Sequence, residues 1–264
     1  MVRTKLNNVD DTMNFWVGCN PVSEGCAHCY ARRGMKRTRF DSNQVTRTKS
    51  WKTKPYALQR QASKEGCVFH VFTCSWSDFF HPGADQWRSE AWAVIKDTPN
   101  LVWRILTKRP ELIAERLPSD WGKGYLNVGL GVTVEMKKYL WRMDTLRNIP
   151  AVVRHVMAEP LLEDLTPEID GHFDGFHGLM VGGESGPNFR PMDEQWARNL
   201  RDTCAANGIP FYFKQHAAYK PQTGDTLDGV KHRQLPAAWA TYEPPLKPIG
   251  LPGQVAVFDL ENCL

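Results

Sequence analysis

The chain has 264 residues, 42% of them apolar and 23% charged, with a formal net charge of +4. That length holds one large domain or two small ones, and the composition excludes a disordered, collagen-like or disulfide-dense class. No apolar run approaches the roughly 18–20 residues that cross a bilayer, and the opening MVRTKLNNVDD lacks the apolar core of a secretory signal, so the expectation is a cytoplasmic protein.

A first strand is expected over 12–17. Directly after it come Cys19, Cys26 and Cys29, in the run Gly18-Cys19-Asn20-Pro21-Val22-Ser23-Glu24-Gly25-Cys26-Ala27-His28-Cys29-Tyr30. The spacing is C-x6-C-x2-C. Two thiolates separated by two residues face one metal centre from a tight turn, and a third closes over it if the Asn20–Gly25 loop folds back. Structural zinc wants four ligands. His28 sits awkwardly between two of the cysteines, and Cys74 would need a long-range contact. A 4Fe–4S cluster held by three cysteines keeps one iron open. A cluster, a structural zinc and incidental buried thiols are therefore the three readings of these residues. Cys67, Cys74, Cys204 and Cys263 read as packing residues, and an odd total of seven with no sign of an oxidising compartment argues against a disulfide framework.

From Ala31 to Lys64, eleven Lys or Arg stand against a single acid, Asp41. The segment is thus +10 and the rest of the chain about −6. Tyr30, Phe40, Trp51 and Tyr56 lie among the cations. Such a mixture suits a polyanion, with cations on phosphates and rings for stacking. The plainer explanation is a solvated, Lys-rich helix face and loop.

Beyond it, apolar runs at 67–73, 101–106, 127–134, 151–157, 178–181 and 210–213 alternate with helical candidates at 86–96, 110–116, 137–147 and 193–207. Alternation of this kind implies parallel strands with crossover helices. With the first strand this makes six or seven strands, an α/β fold forming a partial or complete β/α barrel over residues 1–220. Residues 221–264, rich in proline and glycine, read as an irregular tail packing on the barrel's open side or bottom.

Polar groups recur where these runs end: Ser75, Ser77 and Asp78; Lys108 and Arg109; Thr133 and Glu135; Glu159; then Gly182-Gly183-Glu184. In barrels the chemistry sits at the C-terminal ends of strands. Any one of these groups is more commonly a helix cap or a loop residue, but recurrence after five strands points to a shared site.

Gly25-Cys26-Ala27-His28-Cys29-Tyr30-Ala31, Ser77-Asp78-Phe79-Phe80-His81-Pro82 and Ile105-Leu106-Thr107-Lys108-Arg109-Pro110, followed in order by Glu159-Pro160-Leu161-Leu162, the 181–187 stretch and Phe211-Tyr212-Phe213-Lys214-Gln215, resemble a phage-associated family. It is the radical S-adenosylmethionine (SAM)-like family of phage proteins of unknown function, and the resemblance covers roughly residues 14–235. It implies a radical SAM partial barrel with a 4Fe–4S cluster on Cys19, Cys26 and Cys29, SAM on the open iron, and a 5′-deoxyadenosyl radical that abstracts hydrogen. The first cysteine gap is three residues longer than the commonest C-x3-C-x2-C pattern. By their strand-end positions alone, Lys108 or Arg109 would meet the cofactor carboxylate and Thr133 and Glu135 the ribose, while the resemblance would give its amino group to Ser75, Ser77 and Asp78. Tyr30 would lie beside the cofactor, and Glu159 and Glu184 would face substrate.

The implied partners are an electron donor such as flavodoxin or ferredoxin and a nucleotide or DNA-base substrate on the 31–64 segment. Phage DNA hypermodification, for example isomerisation of an amino-acid-decorated thymidine, would suit the chemistry. The rival class is a non-enzymatic nucleic-acid-binding protein with a structural zinc or iron–sulfur site, which requires a fourth ligand. A cluster-free methyltransferase would need a Gly-rich loop after the first strand, and none is present.

Overall fold

The structure, a computed structural model, describes residues 4, 6–38, 40–166 and 168–245. Cys263 and the end of the expected tail lie outside the described residues. The single strand expected over 12–17 is two: β1 (Asp11–Met13) and β2 (Trp16–Val17). Asn14 divides them. Its amide oxygen accepts the Trp76 N–H at 2.8 Å and its carbonyl accepts the Thr48 hydroxyl at 2.7 Å. The basic segment then supplies α1 (Tyr30–Arg37), the short β3 (Thr46–Arg47) that pairs with β2, and α2 (Thr53–Glu65), two helices that charge composition had concealed.

After these come β4 (Phe69–Thr73), α3 (Asp85–Lys96), β5 (Leu101–Thr107), β6 (Val128–Thr133), α4 (Trp141–Arg147), β7 (Val153–Ala158), β8 (Leu179–Gly182), α5 (Glu194–Ala206), β9 (Phe211–Gln215) and the short α6 (Ala237–Ala240). Two of the expected helices are reduced. The 110–116 stretch is a pair of 3-10 turns, and 137–147 is a 3-10 turn leading into α4. Seven strands form one parallel sheet in the order β1-β4-β5-β6-β7-β8-β9, curled into a half-barrel.

Period-two alternation sorts side chains between the two faces. On β5, Leu101, Trp103 and Ile105 join the main core beneath the helices. Val102 and Leu106 belong to separate clusters on the inner face, Val102 with Trp239 and Leu106 with Met157, Met180 and Tyr212. Gly131 is required on β6, because a Cβ there would lie 2.3 Å from the ring of His155 on β7. Trp239 packs 4.4 Å from the Arg104 guanidinium and clusters with Val102 and Val153. The chain around Arg233 pairs antiparallel with β9. Cys74 and Cys204 are buried free thiols, whereas Cys67 is not among the free cysteines. No described helix is long and apolar enough to cross a membrane.

Arg104 donates to Nδ1 of His70 at 3.1 Å, which makes that histidine an acceptor and therefore neutral. Burial, reinforced by the Arg104 charge, pulls the pKa of both His70 and His155 down to about 3 from the ordinary 6.5. Between those values the unfolded chain binds protons that the folded chain refuses. Stability should therefore be flat above pH 6.5 and fall below it by about 1.4 kcal/mol per pH unit for each histidine. Denaturant midpoints measured at pH 7.5 and 5.5 check this, and His155→Gln should shallow the decline. Equal midpoints at the two pH values would show that both rings protonate inside the fold.

Candidate active site

Six strand ends converge on one cavity at the top of the half-barrel. Its lining includes Cys19, Cys26 and Cys29, together with Tyr30, Ser75, Ser77, Asp78, Lys108, Arg109, Thr133, Glu159 and Glu184. Of the residues singled out in the sequence, Glu135 does not line this cavity.

The cysteine loop leaves β2 through Gly18, whose φ of +101° and whose approach to Gln44 (a Cβ would sit 2.1 Å from its carbonyl oxygen) admit no side chain. The Gly18 N–H donates to the Trp76 carbonyl at 3.0 Å, and the Ser77 hydroxyl donates to the Gly18 carbonyl at 2.5 Å. Cys26 ends a 3-10 turn, Glu24–Cys26, and Cys29 immediately precedes α1. Burial, and then the Asp78 charge, push the Cys19 thiol up to about 12, with Arg109 opposing them.

Three distant strand ends brace this loop. After β5, Arg109 donates to the Asn20 carbonyl at 2.9 Å and lies 4.0 Å from the Cys19 sulfur. After β6, Glu135 is 0% exposed. It forms a 2.8 Å ion pair with Arg142, itself 1% exposed, and accepts the Ser23 hydroxyl. After β8, Glu184 meets Nδ1 of His28 at 2.9 Å and accepts from the backbone and Nε of Arg190 at 2.8 and 3.0 Å. Burial alone would raise the Glu184 pKa, but Arg190 and then His28 hold the carboxyl below its ordinary 4.5.

Two expectations change accordingly. Glu135 does not reach the cavity to meet a ribose, because Arg142 and Ser23 occupy its carboxylate. Glu184 lines the cavity but spends its oxygens on Arg190 and on the histidine between Cys26 and Cys29. Asp78 is similarly engaged: it accepts the Thr107 hydroxyl at 2.8 Å, the Lys108 N–H at 3.1 Å and the Phe80 N–H at 2.9 Å. It stitches the turn after β4 to the end of β5.

Other groups remain available to a ligand. Thr133 is 1% exposed, lines the cavity, and has a hydroxyl without a partner. The Lys108 amine makes no hydrogen bond or ion pair with the described residues. Tyr30 donates to the Ser75 carbonyl at 2.9 Å. Glu159 is paired at 2.7 Å with Lys214 on β9, a lining residue that sequence analysis had not assigned to the site. The strand alternation that carries Tyr212 inward also carries Lys214, and that was the signal for it.

Among the described residues no three His, Cys, Asp or Glu side chains gather closely enough to hold one metal ion. A 4Fe–4S cluster takes one thiolate per iron and so needs its thiols spread apart, whereas tetrahedral zinc draws its sulfurs to within about 4 Å of one another. Three thiols around one cavity, beside the orphaned Thr133 hydroxyl and a Lys108 amine without a partner among the described residues, are a donor set that fits the cluster and a zwitterionic cofactor.

A family model described as "Protein of unknown function (DUF5131)" matches residues 3–236. No curated protein matches the chain. Among solved structures, spore photoproduct lyase complexed with dinucleoside spore photoproduct is similar at a TM-score of 0.54 and 12% identity, over 81% of this chain and 78% of that one. A point mutant of the lyase gives 0.55 at 11% identity over the same shares. A double mutant with bound AdoMet and the dinucleoside gives 0.49 at 12% identity, over 76% of this chain, which spans only 62% of the lyase chain. At these identities the likeness is one of fold: the curled parallel half-barrel is shared with spore photoproduct lyase.

Proposed function

The chain belongs to the DUF5131 family, and from its site we propose that it is a radical SAM enzyme acting on a nucleotide or a DNA base. The observation that carries this reading is the placement of Cys19, Cys26 and Cys29 around one cavity at the C-terminal mouth of the half-barrel. Cys19, Cys26 and Cys29 would hold a 4Fe–4S cluster there, which with SAM would supply one-electron radical chemistry.

The chain's own residues bind and orient. Lys108, whose amine has no partner among the described residues, takes the cofactor carboxylate, while Arg109 holds the Cys19–Asn20 turn and lends positive charge to the Cys19 thiolate. Ser75 faces the cofactor amino group. The Thr133 hydroxyl takes a ribose oxygen. Tyr30, fixed on Ser75, closes the side of the cavity. Glu159 and Lys214 face substrate as a pair that donates and accepts on one wall. Apolar Leu106 and Met157 complete the lining and keep water from the reacting carbon.

The nucleobase reading draws on the basic segment and, as an analogy of fold, on the dinucleoside held by spore photoproduct lyase. Its finer form is a lyase or isomerase step on a modified base in phage DNA, such as an amino-acid-decorated thymidine, with flavodoxin or ferredoxin as electron donor. The competing reading is a nucleic-acid-binding protein whose cysteines hold a structural metal.

Anaerobic reconstitution with iron and sulfide, followed by dithionite and SAM, separates the two readings. Binding of about four irons with release of 5′-deoxyadenosine is the expected result. One tightly held zinc and intact SAM would transfer the assignment to the binding protein.

A further inference from the structure

The cavity mouth continues into a rim built from three separate segments. α1 carries Tyr30, Arg33, Lys36 and Arg37 at helical spacing. The Arg33 guanidinium donates to the Ser185 carbonyl at 3.2 Å and packs on Gly186, where a Cβ would come within 2.1 Å of it. Gly186 donates to the Ala218 carbonyl at 3.0 Å, and the Phe189 N–H closes a turn back onto Gly186 at 3.2 Å. These bonds bring Phe189 and the neighbour of Ala218, Tyr219, beside the basic helix. Both rings face solvent: Tyr219 is 65% exposed and Phe189 37%, while Tyr30 at the cavity edge is 49% exposed.

Charge on this rim has one sign. Residues 30–37, 185–192 and 216–223 hold Arg32, Arg33, Lys36, Arg37, Arg190 and Lys220 and no acid. The side chains of Lys36, Arg37 and Lys220 are exposed and have no hydrogen-bond or ion-pair partner among the described residues. Several later members of the basic segment are committed elsewhere, while Lys49, Arg60 and Lys64 also face solvent. Arg47 stacks on Trp51 at 3.5 Å and pairs with Glu90, Lys54 pairs with Asp11, and Tyr56 packs on the core. A solvated lysine face accounts for the cations but not for exposed rings on the two segments that meet them.

We propose that this rim holds an unpaired nucleic-acid strand, with bases stacked on Phe189 and Tyr219, phosphates on Lys36, Arg37 and Lys220, and the target nucleotide led past Tyr30 into the cavity. The assignment deepens the nucleotide reading above and rests on it. Rings stack any base, and a row of cations follows a backbone, so the surface suits a strand without demanding a sequence.

Fluorescence anisotropy of labelled oligothymidylate tests this on the full chain without cluster or SAM. Tyr219→Ala and Phe189→Ala should each weaken binding about tenfold with the salt dependence unchanged, and Tyr219→Trp should restore it. Lys36→Ala combined with Arg37→Ala should lower the slope of log affinity against log salt by about 0.7 per cation removed. Affinity indifferent to the two rings, or a clear preference for the matching duplex, overturns the rim. Absence of oligothymidylate binding also overturns it, and 5′-deoxyadenosine formation, measured separately, then reports whether the radical chemistry survives that loss.

Discussion

Cys19→Ala, Cys26→Ala and Cys29→Ala, each reconstituted anaerobically, are expected to lose the cluster and to reduce 5′-deoxyadenosine to the background of a protein-free mixture. The three thiols line one cavity and the loop that presents them is braced at three points, so the others cannot take over a missing ligand position. Cys204→Ala is the control. Its thiol is buried on α5, away from the cavity lining, and product should form at the parent level. Iron per chain and product are read on the same samples. A variant that keeps both parent values would remove that cysteine from the ligand set. Loss of product with Cys204→Ala would trace the effect to folding rather than to ligation.

Glu135→Ala is expected to give the largest loss of stability among the site variants. The carboxylate is wholly buried against Arg142, whose Nε already lacks a partner. Removing one member of such a pair strands the other charge and costs about 3–5 kcal/mol. For a chain of this size that lowers the melting temperature by roughly 6–20 °C. Glu135→Leu combined with Arg142→Met, which removes both charges, should recover much of the loss. The double variant still lacks the acceptor for Ser23, so its cluster content should stay low while its melting temperature rises. If cluster content instead returns with stability, Glu135 serves the fold alone. A melting temperature within about a degree of the parent in Glu135→Ala would refute the buried-pair argument altogether.

The contrast between Cys26 and Glu135 shows how far local sequence reaches. Three cysteines within eleven residues of chain announce themselves by spacing, because the turn that gathers them is local. The strand-end polar residues could be recognised as a set, since β/α alternation places all of them at one mouth. Their individual partners could not. Glu135 and Glu159 follow neighbouring strands and look equivalent in sequence, yet Arg142 and Ser23 hold one away from the cavity while Lys214 keeps the other at its wall. Glu135 lies 112 positions from Ser23 and Glu184 lies 156 from His28, and no periodicity spans such separations.

The basic segment divides in the same way. Its +10 charge is a property of composition and needs no structure. Which cations remain free depends on what packs nearby: Asp11 from β1 takes Lys54, Glu90 from α3 takes Arg47, and Lys36 and Arg37 are left facing solvent. The sequence by itself determined the parallel α/β alternation, the cysteine loop after the opening strands and the polar strand ends, because each is written in spacings of a few residues. Only the tertiary structure decided which carboxylates brace the cysteine loop and which face the cavity. A buried charge settles on whichever partner the fold brings within hydrogen-bond reach, and those partners come from elements far apart in the chain.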